Sequence, residues 1–215
     1  LIRVLTHEIM NTVTPIASLS HTLSQEVGDT DRSDRIDWKE LKLGLDTIAS
    51  SSDGLIKFVN TYRSLTHVSA PVKKPFFVRE LIDKVEHLTR ESVHQAGAVF
   101  LYEEKSDDIL LYADENQLSQ VFVNLVKNAL QAGATKIKIT AEIDFAETIK
   151  IAVSNNGRPI SAESQEEIFV PFYTTKQEGT GIGLSLSRQI MRLHNGTLTL
   201  ARSDQRMTTF LLHFK

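Results

Sequence analysis

The N-terminal part of the chain carries apolar residues at intervals of three and four positions, the spacing of one face of an α-helix. From about Leu1 to Val27 this pattern predicts a first helix, and the turn segment Gly28–Asp31 predicts its end. The sequence Asp-Trp-Lys-Glu at 37–40 has the acidic capping pattern that starts a second helix. The apolar seam of that helix consists of Trp38, Leu41, Leu45, Ile48, Ser52, Leu55, Val59 and Tyr62.

Two helices joined in this way form a hairpin with little interior of its own. Because an isolated hairpin cannot bury its apolar stripes, we expect it to pair with a second copy and form a dimeric four-helix bundle. We assign residues 1–68 to this α-helical hairpin and predict a homodimer.

The segment Ser69–Pro75 contains two prolines, which restrict themselves and the residues before them to extended conformations. A second domain, 72–215, therefore begins here. Alternating or apolar segments predict strands at 76–78, 98–102, 109–112, 136–140, 148–153, 197–200 and 209–214, with helices ending near 92 and spanning about 115–131 and 183–194. This order predicts an α+β sandwich in which helices cover one face of a mixed sheet.

The composition narrows the classes of partner. The chain has 215 residues, 41% of them hydrophobic, a formal net charge of -3 and no cysteine. So small a charge provides no basic field for nucleic acid or an anionic membrane, and the lack of cysteine excludes thiol chemistry. No apolar run reaches the ~18 residues that span a bilayer, so we expect a cytoplasmic fragment without direct membrane contact. The first residue is Leu1, and a membrane anchor or sensor domain before it is an open alternative.

Asn124 and Asn128 lie four residues apart and share one face of a predicted helix. Their amide oxygens suit a hard cation whose charge is already neutralised by phosphate oxygens. The alternative is a pair of polar residues on a solvated face. The flanking residues are mostly apolar, which predicts a largely buried helix whose asparagines need partners.

A glycine-rich segment follows in the second domain. Gly157 comes directly after a predicted strand, and Gly179, Gly181 and Gly183 precede a predicted helix. Alternate glycines before a helix expose backbone N–H groups to an anion, to which the helix dipole adds favourable charge. The pattern is neither that of the P-loop nor that of the dinucleotide-binding turn.

Taken in order, the asparagine helix, the Gly157 turn, the Phe-Val-Pro-Phe segment at 169–172 and the second glycine segment resemble the Bergerat-type ATP-binding domain of sensor histidine kinases, certain chaperones, topoisomerases and mismatch-repair ATPases. The resemblance covers roughly Phe76 to the end of the chain. It implies ATP and Mg²⁺ as cofactors, Asn128 as the Mg²⁺ ligand and a lid between Gly157 and Gly179 that carries Lys176 near the phosphates. The ATP-binding residues that it implies are Asn124, Asn128, Asn155, Gly157, Phe172, Thr175, Lys176, Gly179, Gly181, Gly183 and Leu184.

Two positions depart from that family's pattern. Asn155 stands where the family usually has an aspartate that accepts a hydrogen bond from the adenine amino group, and Pro159 stands where it usually has glycine. A neutral hydrogen bond contributes ~1 kcal/mol net, against about 1.5–3 kcal/mol for a charged one. We therefore expect ATP binding that is retained but weakened.

Near the N-terminus, the segment Leu5–Asn11 resembles the phospho-accepting box of sensor histidine kinases. Taken alone, a helical histidine is most often a surface residue. With the ATP site downstream, the resemblance implies that His7 is the nucleophile, that Glu8 raises its nucleophilicity, and that Asn11, one turn further on, orients a water for a phosphatase reaction. Pro15 lies later than the proline of most relatives, and Gln131 stands where many relatives have lysine. Both the Asn128–Ala132 and Pro171–Lys176 segments look like the nitrogen-sensor branch.

The leading hypothesis is thus a dimeric sensor histidine kinase core that autophosphorylates on His7 and passes the phosphoryl group to the receiver domain of a response regulator. One alternative is a signalling scaffold or phosphatase with weakened nucleotide binding, which Asn155 and Pro159 motivate. Another is an ATPase of the chaperone or topoisomerase type, which would not need the His7 helix.

Overall fold

The computed structural model describes residues 2–28, 38–66, 68–176 and 179–214. The chain divides into two compact units, Leu1–Thr66 and His67–Lys215. No helix in the described ranges is both long and apolar enough to cross a bilayer.

The first unit consists of two long helices, α1 (Ile2–Gly28) and α2 (Trp38–Thr66). α1 continues through Pro15 without interruption. The two helices run antiparallel, because Gly44 of α2 lies against Leu23 of α1 while Gly54 lies near Thr12. A Cβ atom at Gly44 would lie 2.9 Å from Leu23 Cδ1, so glycine permits close approach here. The predicted turn and capping residues between 29 and 37 lie outside the described ranges.

The second unit contains four helices and seven strands within the described ranges. In chain order these are β1 (Lys74–Phe77), α3 (Val78–Gln95), β2 (Val99–Glu104), β3 (Leu110–Ala113), α4 (Glu115–Gln131), β4 (Lys136–Ile143), β5 (Ile149–Asn155), α5 (Ala162–Gln165), α6 (Gly183–Leu193), β6 (Thr197–Ser203) and β7 (Thr208–Phe214). α5 is a single turn that the sequence pattern did not predict. Compared with the predicted strand at 76–78, β1 begins two residues earlier and ends one residue earlier. Val78 belongs to α3 instead, where its side chain is buried and its N–H donates to Ile109 O.

Five strands form a mixed sheet in the order β2-β4-β5-β7-β6, in which β2 and β4 are parallel and the other pairs are antiparallel. β1 and β3 form a separate antiparallel ribbon. Alternate residues of β4 and β7 are buried, as expected of strands with one covered face. α4 contacts both α3 and α6, and all three helices contact the sheet. The core between these layers includes Phe122, Ile139, Ile151, Met191 and Leu212. The predicted α+β sandwich with a mixed sheet is confirmed for this unit.

Candidate functional site

α4 is fixed at its N-terminus by Asp114. The carboxylate accepts the N–H groups of Asn116 and Gln117, each at 3.1 Å, and that of Val72 at 2.9 Å. Burial alone raises the pKa of Asp114, but the backbone donors outweigh it and hold the pKa below its usual value. The predicted start of this helix is therefore confirmed, with a cap that also ties the segment before β1 to α4.

His194 joins α4 to α6. It is 5% exposed, and its Nε2 accepts the N–H of Asp114 at 3.0 Å while Nδ1 donates to Ile190 O at 2.8 Å. Both ring nitrogens are satisfied only in the neutral form with the proton on Nδ1. The sequence places His194 at the end of α6 without indicating this link, which aligns the two helices that carry the candidate site.

The structure brings Asn124 and Gly183 together. Asn124 Nδ2 donates to Ser187 Oγ at 3.0 Å, and a Cβ at Gly183 would lie 2.9 Å from Asn124 Cγ. Glycine at 183 is thus what lets the start of α6 rest on α4. Ile182, the residue before this helix, provides no side-chain cap, which leaves N–H groups of the first turn for another acceptor.

Phe172 and Gly181 meet through their backbones. The N–H of Phe172 donates to Gly181 O at 2.9 Å, and a Cβ at Gly181 would lie 2.7 Å from Phe172 Cα. Both residues have positive φ, +69° for Phe172 and +64° for Gly181. For a phenylalanine this conformation is strained, so the surrounding contacts must hold it in place.

Asn155 is 7% exposed and sits at the end of β5, directly across from Thr208 of β7. Its Oδ1 accepts the N–H of Gly157 at 3.0 Å, and its Nδ2 lies 3.5 Å from Thr208 O. A Cβ at Gly157 would lie 2.9 Å from Ala132 Cβ, so this turn packs tightly on the end of α4. The amide oxygen of Asn155 keeps a second lone pair for a further donor.

Lys176 makes the contact that bears most directly on cation binding. Its Nζ donates to Asn128 Oδ1 at 3.0 Å and to Gln131 Oε1 at 2.6 Å. Burial lowers the pKa of Lys176, and the positive charge of Arg158 lowers it further. The ammonium group thus contacts the side-chain oxygen of Asn128, the residue that the resemblance implies as the Mg²⁺ ligand.

The remaining predicted residues flank this arrangement. Thr175 is exposed, Leu184 is partly buried against the core, and the N–H of Gly179 donates to Lys176 O at 3.3 Å. His7, Glu8 and Asn11 lie in α1 of the other unit. The side chains of His7 and Glu8 are outside the described part of the structure, while Asn11 is exposed.

Sequence reasoning did not find Ser187 or Thr208. Ser187 lies four residues after Gly183, so the helical period could have placed it on the same face of α6. Thr208 depends on the register of β7 against β5, for which the sequence holds no signal.

Comparison with known proteins shows which proteins this chain is similar to. Residues 113–215 match the family described as "Histidine kinase-, DNA gyrase B-, and HSP90-like ATPase". The sensor histidine kinase ZraS of Escherichia coli K12 is 39% identical over 104 residues, which cover 47% of this chain and 22% of ZraS. The sensory histidine kinase/phosphatase NtrB of Rhodobacter capsulatus is 29% identical over 94% of this chain and 58% of NtrB.

Among solved structures, the catalytic domain of histidine kinase ThkA is 36% identical, with a TM-score of 0.60 over 66% of this chain and 94% of that domain. A longer ThkA chain, in complex with the response regulator protein TrrA, is 27% identical and matches 98% of this chain and 59% of its own, with a TM-score of 0.65. The present chain spans less than two thirds of the length of ZraS and of NtrB.

Proposed function

Because this chain belongs to the histidine kinase-, DNA gyrase B- and HSP90-like ATPase family, as the catalytic core of a sensor histidine kinase, we propose that it transfers the γ-phosphoryl group of ATP to His7 and then to a response regulator. The observation that carries the proposal is the 3.0 Å hydrogen bond from the Lys176 ammonium group to Asn128. The glycine segment supports it, because a Cβ at Gly181 or Gly183 would clash with the residues packed against it. Domain 72–215 supplies the nucleotide site, and domain 1–68 supplies the acceptor.

The residues of the site fit a magnesium–nucleotide complex. The amide oxygen of Asn128 already accepts from a cation, and Lys176 provides a positive charge on the same side of α4. The uncapped first turn of α6 provides backbone N–H groups for phosphate oxygens. Mg²⁺ would neutralise charge on the phosphates when bound there. For Asn128 to ligate it, Lys176 must leave Asn128 Oδ1 and turn to the phosphates.

Phosphoryl transfer from ATP requires mainly that the protein position the reacting groups and stabilise the charge on the phosphates. One nitrogen of the His7 imidazole forms a bond to the γ-phosphorus, while the bond from that phosphorus to its bridging oxygen breaks and ADP leaves. The proton on the other ring nitrogen passes to the Glu8 carboxylate. In the second step an aspartate oxygen of the receiver domain bonds to phosphorus as the phosphorus–nitrogen bond breaks, and the ring recovers its proton.

The exposure of apolar side chains on α2 supports dimerisation of this unit. Trp38, Leu45 and Val59 of the predicted seam are 72%, 53% and 51% exposed, and Leu43 and Ile56 of α2 are more than half exposed as well. Pairing with a second copy as a four-helix bundle would cover these apolar side chains.

The response-regulator partner is supported by ThkA, which is 27% identical to this chain in a structure that also contains the response regulator TrrA. A phosphatase reaction toward the same partner is a second proposal, supported by the exposed position of Asn11 in α1 and by the name of NtrB, a kinase/phosphatase. An Asn11→Ala variant should phosphorylate itself normally yet dephosphorylate the regulator slowly. Unchanged dephosphorylation would remove the phosphatase proposal.

The kinase proposal is tested with γ-labelled ATP. Wild-type protein should acquire acid-labile, base-stable label, and His7→Gln should lose it. His21→Gln is the matched control, because His21 is an exposed histidine of the same helix and should keep full labelling. Steady ATP turnover without phosphohistidine would instead favour the chaperone or topoisomerase type of ATPase. Very weak ATP binding without any label would favour the scaffold or phosphatase alternative.

A further inference from the structure

Two basic residues converge on the last turn of α4 from opposite ends of the segment between β5 and α6. Lys176 reaches this turn through its hydrogen bonds to Asn128 and Gln131. Arg158 reaches it through its backbone, whose N–H donates to Ala132 O at 2.9 Å. The two residues are 18 positions apart in sequence, since 176 minus 158 is 18.

The backbone around Arg158 leaves it little freedom. Gly157 packs against Ala132, where an added Cβ would lie 3.1 Å from the carbonyl oxygen. Pro159 follows, and a residue before proline is confined to extended conformations. The position of Arg158 at the end of α4 is therefore set by the contacts of the backbone and does not depend on its own side chain.

Neither cation has a carboxylate partner within the described ranges. Lys176 faces two neutral amide oxygens, and the Arg158 side chain has no hydrogen bond, ion pair or ring contact to a described residue. The charge that acts most strongly on Lys176 is the like charge of Arg158, which lowers the pKa of the lysine. Two positive charges near the same turn, neither with a carboxylate partner in the described ranges, favour the binding of an anion there.

We propose that Arg158 is a second phosphate-binding residue, which holds the polyphosphate of the nucleotide from the start of the segment while Lys176 holds it from the end. The inference rests on the proposed ATP site and names a contact beyond it. A guanidinium binds phosphate oxygens in pairs, whereas the ammonium of Lys176 acts as a point charge. Gln131 belongs to the last turn of α4, on which Arg158 and Lys176 converge, so a lysine at this position would add a cation to the same turn.

The test measures binding of ATP, ADP and adenosine by isothermal titration, with the whole chain and with Mg²⁺ present. Arg158→Gln should weaken ATP binding about tenfold or more and ADP binding less, while adenosine affinity changes less than about twofold. The variant should also lose part of the salt dependence of ATP binding. Gln131→Lys added to Arg158→Gln should restore most of the ATP affinity. Arg90→Ala, an exposed arginine of α3, is the control and should bind like wild type.

Two results would overturn the inference while leaving the proposed function intact: an Arg158→Gln variant that binds ATP like wild type, or one that loses ATP and adenosine affinity in equal proportion. Equal losses would mean that the substitution disturbs the turn at Gly157, and Arg158→Lys, which keeps a cation, would then be no better than Arg158→Gln. If wild-type protein bound adenosine and ATP equally or neither of them, both the inference and the proposed nucleotide site would fail.

Discussion

The two units of this chain bury apolar surface very differently. In the helical unit, Leu23 is the one buried hydrophobic side chain among the described residues, whereas the second unit surrounds Phe122, Ile139 and Met191 with a continuous core. Both units have apolar residues at regular intervals. The difference is that strands and helices of the second unit cover one another, while a two-helix hairpin offers each helix only one neighbour.

This difference indicates that the second unit is stabilised by its own core, whereas the helical unit is expected to depend on pairing with a second copy. The second unit has what a separately folding domain needs, and the ThkA catalytic domain, which it matches over 94% of that chain, exists as a structure of its own. In the helical unit Trp38, Leu45 and Val59 are more than half exposed, and the proposed dimer would cover them. Substitutions in one unit should therefore leave the stability of the other unit unchanged, and this can be tested with substitutions in either unit.

The largest effect is expected in the helical unit. Leu45→Glu combined with Val59→Glu places two unpaired carboxylates in the proposed dimer interface, where each buried unpaired charge costs about 3–5 kcal/mol. Light scattering should show a monomer at concentrations where wild-type protein is a dimer. The melting transition of the second unit should stay where it is.

Ser50→Glu, an exposed position of α2 away from the seam, controls for added charge and should remain dimeric. A dimeric double variant would mean that the exposed seam is not the interface and would remove the contrast between the units.

The next effect concerns the second unit. His194→Ala leaves Asp114 N–H and Ile190 O without their partners and opens a cavity between α4 and α6. We expect a loss of about 2–3 kcal/mol in the free energy of unfolding, measured by urea denaturation. His87→Ala, an exposed histidine of α3, should change stability by less than ~0.5 kcal/mol. A His194→Ala variant as stable as that control would show that the link does not hold the two helices.

Gly183→Ala should affect binding more than folding. The new Cβ would displace the side chain of Asn124, which donates to Ser187 in the wild-type protein. Alanine also favours the helix by ~1 kcal/mol relative to glycine, which offsets part of the cost to stability. We expect ATP affinity to fall about tenfold with only a small change in stability. Gly54→Ala in α2 meets only Thr12 Cγ2 at 3.9 Å and should bind ATP normally. If Gly183→Ala bound ATP as tightly as Gly54→Ala does, close packing at this point would not matter for the site.

These contacts also mark how far the sequence alone could lead. The apolar pattern over about 115–131 predicted α4 correctly, because a helix of this kind depends on residues that are close in sequence. The spacing of Asn124 and Asn128 likewise predicted a shared face. The bond from Lys176 to Gln131 could not be predicted, since it depends on how the segment after β5 folds back over α4. The same holds for Phe172, whose positive φ follows from its pairing with Gly181 rather than from its own preference.

The smallest effect is expected from the charge of Asp114. Backbone N–H donors hold its pKa below the ordinary value, so the folded state releases this proton more readily than the unfolded state does. The stabilisation is therefore complete above the unfolded pKa of about 3.9 and is lost as the pH falls through the lower folded pKa. Asp114→Asn keeps a good helix cap without the charge, so we expect at most ~1 kcal/mol of lost stability at neutral pH and a flatter acid limb in urea titrations between pH 5 and pH 2.

Because Asp114 lies in the second unit, dimerisation through the helical unit should show the same pH dependence in the variant and in wild type. An acid limb that the substitution does not flatten would mean that other carboxylates account for the acid sensitivity of this unit, among which Asp144 and Asp204 have pKa values lowered to about 2.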